Sequence, residues 1–318
     1  MSFLDSRLNQ RRNGRAGRWL PAAVLAVLAA VLAVAPALAG EWKNRWSLKV
    51  GGGLGLLGWG DVETLKNSFH QQIRDFAGAF AIATTGTCEN PRLGWQGEVE
   101  LRVDVSPRLG FGLAGGRFSR SGETVLKADW PPFLTSLHIW GQGSTITPVT
   151  LSAYWRFLSG VRSGAYIRFG AGLASAIWKY KIRDEETIDF ASWEQVEGTA
   201  RDKGLLVQAG MGYEILIAKR LTAFVEARGQ ICSLDGWRTD QINSTDASSE
   251  NISETLWLVE RAPSGGRAAE ALLIASSLPP DARPYGSARP VRLDFSGGVF
   301  LAGIRLELGR RPSSSSPQ

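Results

Sequence analysis

Eleven charged residues recur at alternate positions within apolar segments, and they are the strongest candidates for chemistry in the chain. They are Lys49, Glu98, Glu100, Arg102, Asp104, Arg168, Glu214, Glu226, Arg228, Arg292 and Asp294. The two signs nearly balance. A buried charge is costly unless an opposite charge compensates it. We therefore expect these side chains to pair on a shared inner face. A narrow gated pore lined by the same residues is the alternative.

The chain contains 2 histidines, and neither has a recognisable catalytic partner. His70 stands beside Gln71, and His138 follows Ser136 by two positions. A nucleophile and its base must lie within hydrogen-bond reach, and sequence spacing places no such pair. A G-x-S-x-G motif, a metal-spaced histidine pair and a phosphate-binding loop are all missing from the sequence. We therefore predict no catalysis, metal or cofactor, and a lipid-modifying enzyme using either histidine stays open as an alternative.

Two cysteines form a candidate disulfide. Cys88 lies in the first long segment between strands, and Cys232 lies at the end of the seventh strand-like segment. Such a pair can oxidise in the bacterial envelope. Because sequence alone does not show that the two thiols meet, separate free thiols are the alternative.

The first 39 residues have the three parts of a secretory signal peptide. Five arginines precede an apolar run from Leu20 to Val34, and Ala37-Leu38-Ala39 forms a cleavage site. The apolar run is shorter than the roughly 20 residues of a spanning helix, which disfavours the alternative of an uncleaved anchor. The sequence predicts a cleaved segment 1–39, a barrel over 40–309 and a disordered polar tail over 310–318.

Cleavage would remove most of the net positive charge of the chain. The leader carries five of the 36 Lys and Arg residues and one of the 30 Asp and Glu residues. The mature chain then holds 31 basic and 29 acidic residues, a net charge of +2. Nucleic-acid binding needs clustered basic residues, so we predict no nucleic-acid partner.

Eight stretches of the chain alternate between apolar and polar residues, which is the period of a β-strand. They cover 45–59, 94–105, 108–120, 145–157, 164–181, 203–217, 220–234 and 291–308. The gaps between them are alternately long and short. An antiparallel barrel in the bacterial outer membrane has this arrangement, with short periplasmic turns and long extracellular loops. The mature chain has no apolar run long enough for a membrane helix, so a membrane location requires a closed barrel.

The composition of the two faces favours the membrane form over a secreted sandwich or a lipocalin-like barrel. The polar row is rich in glycine, which suits a crowded interior. Aromatic residues cluster near strand ends, as in interfacial girdles. The predicted girdle comprises Trp46, Trp59, Trp95, Trp155, Phe157 and Trp178.

Two loops and the last strand carry more specific expectations. Asp61 to Phe80 shows apolar residues every three or four positions, which predicts a helix with Asp61 as its N-cap. The loop over 235–290 is the longest, and Ala268 to Ala275 is expected to form a short helix. Apolar residues change from odd to even positions after Leu301, which predicts a β-bulge near Gly297-Gly298 or Gly303.

With these patterns the mature chain resembles the eight-stranded outer-membrane barrels related to the OmpA transmembrane domain, OmpX and OmpW. The resemblance covers nearly all of residues 42–308 and rests on strand pattern and topology. It implies an all-β, eight-stranded, antiparallel up-and-down transmembrane barrel in the outer membrane. The expected partners are outer-membrane lipid, lipopolysaccharide and the barrel assembly machinery.

The predicted role is structural or one of surface recognition or adhesion. Loops 60–93 and 235–290 would bind an extracellular ligand above an interior filled by charges. The alternatives are a narrow OmpW-like channel for ions or small hydrophobic molecules and the lipid-modifying enzyme described above.

Overall fold

The computed structural model describes residues 45–79, 82–88, 92–130, 134–160, 162–187, 191–245, 248–261, 270–277, 280 and 287–308. The predicted signal peptide and polar tail lie outside these residues. No helix in the described part of the chain is long and apolar enough to cross a membrane.

The described chain consists of fifteen strands and one helix. The strands are β1 (Arg45–Leu57), β2 (Ala83–Cys88), β3 (Leu93–Asp104), β4 (Leu109–Trp130), β5 (Leu134–Ser159), β6 (Ser163–Thr187), β7 (Ala191–Ala218), β8 (Leu221–Ile231), β9 (Ser233–Leu234), β10 (Arg238–Thr245), β11 (Ser249–Arg261), β12 (Glu270–Ser276), β13 (Ser287–Pro290), β14 (Leu293–Asp294) and β15 (Gly297–Leu308). The helix is α1 (Asp61–Ala79). The prediction of an antiparallel all-β architecture is confirmed, but the chain has more strands than the eight expected.

Eight of the strands follow one another in a hydrogen-bonded ring. The antiparallel pairs run β1–β3–β4–β5–β6–β7–β8–β15 and return to β1. The ring is uneven, since β8 has 11 residues and β7 has 28. Tight turns join its strands at one end, and the helix and the additional strands gather at the other.

The two faces of the ring have inverted polarity relative to a soluble protein. In β3, buried and exposed residues alternate almost strictly. Trp95 is 74% exposed and Val99 is 50% exposed, whereas Glu100 is fully buried. Because successive side chains of a strand point to opposite faces, the apolar row faces outward and the charged row faces the interior.

The long strands β4 to β7 correct the sequence expectation of loops at 121–144 and 183–202. Strand pairing continues into both regions, as far as Trp130 paired with Leu134 and Thr187 paired with Ala191, and β2 adds to β4. On the far side β10 pairs with β7 and continues the sheet into β11, which pairs with both β12 and β13. The sequence pattern did not predict these strand extensions, because polar residues occur on both faces and neither face shows a continuous apolar row.

The predicted helix over Ala268 to Ala275 is wrong. Glu270–Ser276 forms strand β12, which pairs with β11 in unbroken register. The local composition is compatible with a helix or a strand, and pairing with the edge of β11 stabilises the strand.

The predicted helix after β1 is confirmed as α1, with Val62 and Leu65 buried beneath it. Asp61 begins the helix but does not act as its N-cap. Its carboxylate accepts hydrogen bonds from both Nη atoms of Arg289, at 2.5 and 2.8 Å, and from the backbone N–H of Arg292, at 2.6 Å. Asp61 therefore fixes the start of the helix to the chain that leads into β14.

The predicted bulge in the last strand is absent. The pairing of β15 with β1 runs without a break from Gly297 to Leu308. Phe300 and Ile304 face outward, while Val299 and Leu301 are buried. The odd apolar residues therefore face inward at the wide end, where the interior is apolar, and this explains the apparent change of phase.

Candidate functional site

The interior of the ring contains an ion network centred on Glu226. One of its carboxylate oxygens accepts hydrogen bonds from Lys49 Nζ at 2.5 Å and from the Tyr166 hydroxyl at 2.7 Å. The other oxygen accepts a hydrogen bond from Arg168 Nη1 at 2.9 Å. These groups come from β1, β6 and β8, so a single carboxylate connects three walls of the ring.

The network continues across the interior through Arg168 and Glu98. Arg168 Nη1 donates to Glu98 at 2.8 Å, and Arg228 forms an ion pair with the other Glu98 oxygen at 2.6 Å. The Tyr154 hydroxyl donates to Glu100 at 2.5 Å. Opposite charges thus compensate one another across the width of the ring, as buried ions require.

A second cluster lies nearer the tight turns. Arg102 bonds Asp104 at 2.8 Å and Glu214 at 3.2 Å. Arg305 reaches the same two carboxylates at 3.3 and 3.0 Å, and Arg156 lies 3.4 Å from Glu214. The ion network and this second cluster place charged side chains in the part of the interior nearer the tight turns.

The structure brings together nine of the eleven charged residues singled out by sequence. They are Lys49, Glu98, Glu100, Arg102, Asp104, Arg168, Glu214, Glu226 and Arg228. Sequence reasoning missed Arg156, Arg305, Tyr154 and Tyr166. The signal that could have found the two tyrosines is their even numbering, which they share with Arg168 and with the inner row of β5 and β6.

Arg292 and Asp294 do not join the interior network, contrary to expectation. Arg292 Nε donates to Ser233 Oγ at 2.6 Å, and Asp294 accepts a hydrogen bond from the backbone N–H of Ser296 at 2.8 Å. Both residues precede Gly297, where β15 begins. They belong to the segment around β14, which pairs with β9 beyond the end of the ring.

Aromatic side chains pack together at the end of the ring away from the tight turns. Trp237 packs between Trp178 and Phe295, with ring centroids 6.5 and 6.4 Å apart. The Arg120 guanidinium lies 3.4 Å from the Trp59 ring centroid, within cation–π range. The aromatic residues belong to one buried apolar cluster, which also includes Val62 and Leu65 of α1. Arg120 is not part of this cluster but lies against it. We call this cluster the mouth core.

Of the six residues predicted for the aromatic girdle, four are exposed on the outer face, and for the two buried ones the prediction is wrong. Trp46, Trp95, Trp155 and Phe157 are between 46% and 74% exposed on the outer face. In contrast, Trp59 and Trp178 are buried in the mouth core. Trp59 follows the end of β1, where strand alternation no longer applies, and Trp178 lies on the inward, even-numbered row of β6.

The predicted Cys88–Cys232 disulfide is not formed. Cys232 is a free and fully buried thiol in the mouth core. Cys88 ends β2, which pairs with β4, and β4 stands opposite β8 in the ring. The interior therefore separates the two chain segments.

A shallow polar groove of about 410 Å³ lies on the outer wall of the strand extensions. Its floor includes Gly141 and Gly143, whose missing side chains leave the wall open. Lys181 and Glu197 border it with an ion pair of 2.7 Å, and Asp240 lies at its edge. The groove presents both charge signs to solvent.

The ring has likenesses among solved structures. It is similar to a major outer membrane protein from Thermus thermophilus, with 9% identity, a TM-score of 0.35, and coverage of 84% of this chain and 100% of that one. CarO from Acinetobacter baumannii has 15% identity, a TM-score of 0.27, and coverage of 71% and 96%. The outer membrane protease OmpT from Escherichia coli has 11% identity, a TM-score of 0.25, and coverage of 83% and 96%.

No protein-family model matches the chain, and no curated protein matches it. At TM-scores below 0.5, the structural likenesses carry no residue role or activity to this chain.

The two histidines lie apart from the interior network. His70 is on α1, and the backbone of His138 pairs with Leu126 in β4 and Asp184 in β6. Partial burial, and then the positive charges of Arg74 and Lys66, lower the pKa of His70 below its usual 6.5. Within the described residues, no group of three or more His, Cys, Asp or Glu side chains is arranged to hold a metal ion.

Proposed function

We propose that this chain is an eight-stranded β-barrel protein of the bacterial outer membrane that presents an external recognition surface and is closed to diffusion. The observation that carries the proposal is the inverted polarity of the ring. Apolar side chains cover its outside, while its inside holds a compensated network of buried charges. A water-soluble protein would place these faces the other way round.

The dimensions of the ring support a small closed barrel. Eight strands enclose an interior that side chains can fill, and the outward apolar residues on β1, β3, β5, β6, β7, β8 and β15 form a band. The aromatic residues Trp46 and Trp155 lie at the end with tight turns, where a girdle would meet the periplasmic headgroups. The strand extensions, α1 and strands β10 to β13 then project outside the cell.

Because the interior is filled, the functional surface of this protein lies on its external part. The polar groove around Gly141 and Gly143 is the concave feature we assign to ligand recognition there. This role involves no catalytic step. A narrow channel would need a continuous path, and the buried side chains of the ion network and the mouth core inside the ring support the closed form instead.

Membrane placement and orientation can be tested by labelling engineered cysteines on intact cells, in a Cys88→Ser background where the buried Cys232 is the remaining native thiol. We expect a membrane-impermeant maleimide to label Lys179→Cys in the external groove. Arg162→Cys, in the turn between β5 and β6, should label only after the outer membrane is permeabilised. A protein that remains fully soluble without detergent would contradict the proposal, as would the reverse labelling pattern.

Closure can be tested by planar-bilayer recording on refolded protein. We expect no discrete conductance steps at any applied voltage. Heat-modifiable migration on gels, in which the unboiled protein runs as a compact species, is the control that the sample is folded. Regular single-channel steps from such a sample would favour the channel.

A further inference from the structure

The narrow end of the ring carries exposed basic residues on every tight turn. Arg108 lies between β3 and β4, Arg162 between β5 and β6, and Lys219 and Arg220 between β7 and β8. We call these four residues the basic rim. Each is exposed, and they stand at three positions around the same end of the ring.

The backbone beneath the basic rim is held in place by hydrogen bonds. The carbonyl oxygens of Arg108, Arg162 and Arg220 each accept a backbone N–H from an adjacent strand, at 2.7, 2.7 and 2.9 Å respectively. In the first turn, Ser106 Oγ also accepts the N–H of Leu109 at 2.9 Å. The side chains therefore project from a backbone that is already ordered, so a ligand need not order the turns when it binds.

Within the described ranges none of the four residues of the basic rim forms an ion pair. Glu307, whose backbone N–H bonds the Arg220 carbonyl at 2.9 Å, lies at the same end of the ring. The nearby carboxylates of Asp104 and Glu214 are already bound to Arg102 and Arg305 in the second interior cluster. At the opposite end of the molecule, basic residues such as Lys181 have acidic partners.

The basic rim lies at the level where a membrane changes from hydrocarbon to headgroups. Arg108 directly precedes Leu109, which pairs with the outward-facing Trp155. Exposed tryptophan is characteristic of the interface. A basic residue one step beyond that level stands beside lipid phosphates.

We propose that the basic rim binds the phosphate groups of anionic phospholipids in the periplasmic leaflet. The inference rests on the membrane placement and orientation proposed above. Lysine and arginine close to an anionic lipid surface are attracted to it over roughly a Debye length, about 8 Å at physiological salt. Rim side chains at three positions around the ring would hold a shell of anionic lipids at one end of the barrel.

Spin-labelled lipids test this proposal on the full mature chain reconstituted in phosphatidylcholine vesicles. The measured quantity is the association of labelled phosphatidylglycerol relative to labelled phosphatidylcholine. We expect a several-fold preference that weakens as salt is raised. The variant Arg108→Gln/Arg162→Gln/Lys219→Gln/Arg220→Gln should bring the ratio close to one.

A matched control removes four exposed basic residues elsewhere, as Arg74→Gln/Lys179→Gln/Lys203→Gln/Arg238→Gln, and should keep the preference. A ratio near one for the unmodified chain would overturn the proposal, as would a ratio that the rim variant leaves unchanged. If inorganic phosphate abolishes the preference when chloride of equal ionic strength does not, the rim is a free-phosphate site and the lipid assignment is wrong.

Failures of folding or placement are distinguishable from failure of the rim. Heat-modifiable migration reports whether each variant is folded. If the fourfold variant does not fold, the single variants Arg108→Gln and Arg162→Gln replace it. Each single variant is expected to lower the lipid preference in part. An unmodified chain that does not insert into vesicles contradicts the proposed function itself. An inserted chain without lipid preference contradicts only the inference about the rim.

Discussion

At the scale of single residues, Glu226 accepts three side-chain hydrogen bonds in the interior. It compensates Lys49 and Arg168 and accepts a hydrogen bond from Tyr166. Glu226→Gln would leave two buried cations undercompensated, which costs on the order of 3 kcal/mol. We expect a lower urea midpoint for unfolding, measured by gel mobility. Glu250→Gln on the exposed β11 strand is the control, and equal midpoints for both variants would contradict a stabilising role for the network.

Cys232 offers a second test at this scale, because its thiol is free and buried beyond the end of β8. Burial, and then the nearby charges of Asp294 and Asp202, raise the pKa of this thiol to about 12. Since the thiolate is the reactive form, we expect no alkylation of Cys232 in the folded protein at pH 8 and complete alkylation in urea. Peptide mapping distinguishes it from Cys88. Rapid labelling of the folded protein would show that the mouth core opens.

The alternation of odd and even positions along each strand identified most of the interior residues, and its failures have physical causes. This alternation is reliable only within one continuous strand. It therefore located Glu98 and Arg228, but it failed for Arg292, which lies before β15 begins. Trp178 was misassigned because a tryptophan near a strand end fits an interfacial girdle, although its even position in β6 already indicated the inner face.

At the scale of elements, α1 carries a cluster of basic groups around His70. Lys66 and Arg74 lie four residues before and after it, on the same helical face. Its lowered pKa means that the folded chain binds fewer protons than the unfolded chain just below pH 6.5. The contribution of His70 to stability is therefore present above pH 6.5 and declines as the pH falls below that value.

Nuclear magnetic resonance can measure this titration directly. We expect the imidazole signal of His70 to titrate below pH 6.5, with His138→Gln used to assign it. Arg74→Gln should raise the pKa part of the way towards 6.5, while burial still lowers it. Arg238→Gln, far along the chain on β10, should have no effect. A midpoint at or above 6.5 in the unmodified protein would contradict the structural environment described for His70.

The elements also show where sequence patterns lose their information. The strands of the ring were predicted because one face is apolar and the other polar. The extensions of β4 to β7 beyond the apolar band have no such contrast, so they were interpreted as loops. Strand β12 is defined by its partner β11 and not by its own composition. Pairing between segments distant in sequence is invisible to local periodicity.

At the scale of the whole molecule, the proposed closure depends on two barriers in series along the axis of the ring. The ion network lies on the side of the tight turns, and the mouth core lies at the opposite end. The exposed basic rim lies at one end of this axis and the polar groove at the other. In the proposed membrane placement, the ring would separate a lipid-facing periplasmic surface from an external recognition surface.

This arrangement predicts that neither barrier alone controls conductance. Trp59→Ala/Trp237→Ala should empty part of the mouth core yet show no discrete conductance, because the ion network still fills the interior. Arg168→Ala should also show no discrete conductance, because the mouth core remains closed. We expect single-channel steps only when the three substitutions are combined, in samples shown to be folded by heat-modifiable migration. Conductance in the tryptophan variant alone would mean that the ion network leaves a continuous path, and the mouth core would then be the only barrier.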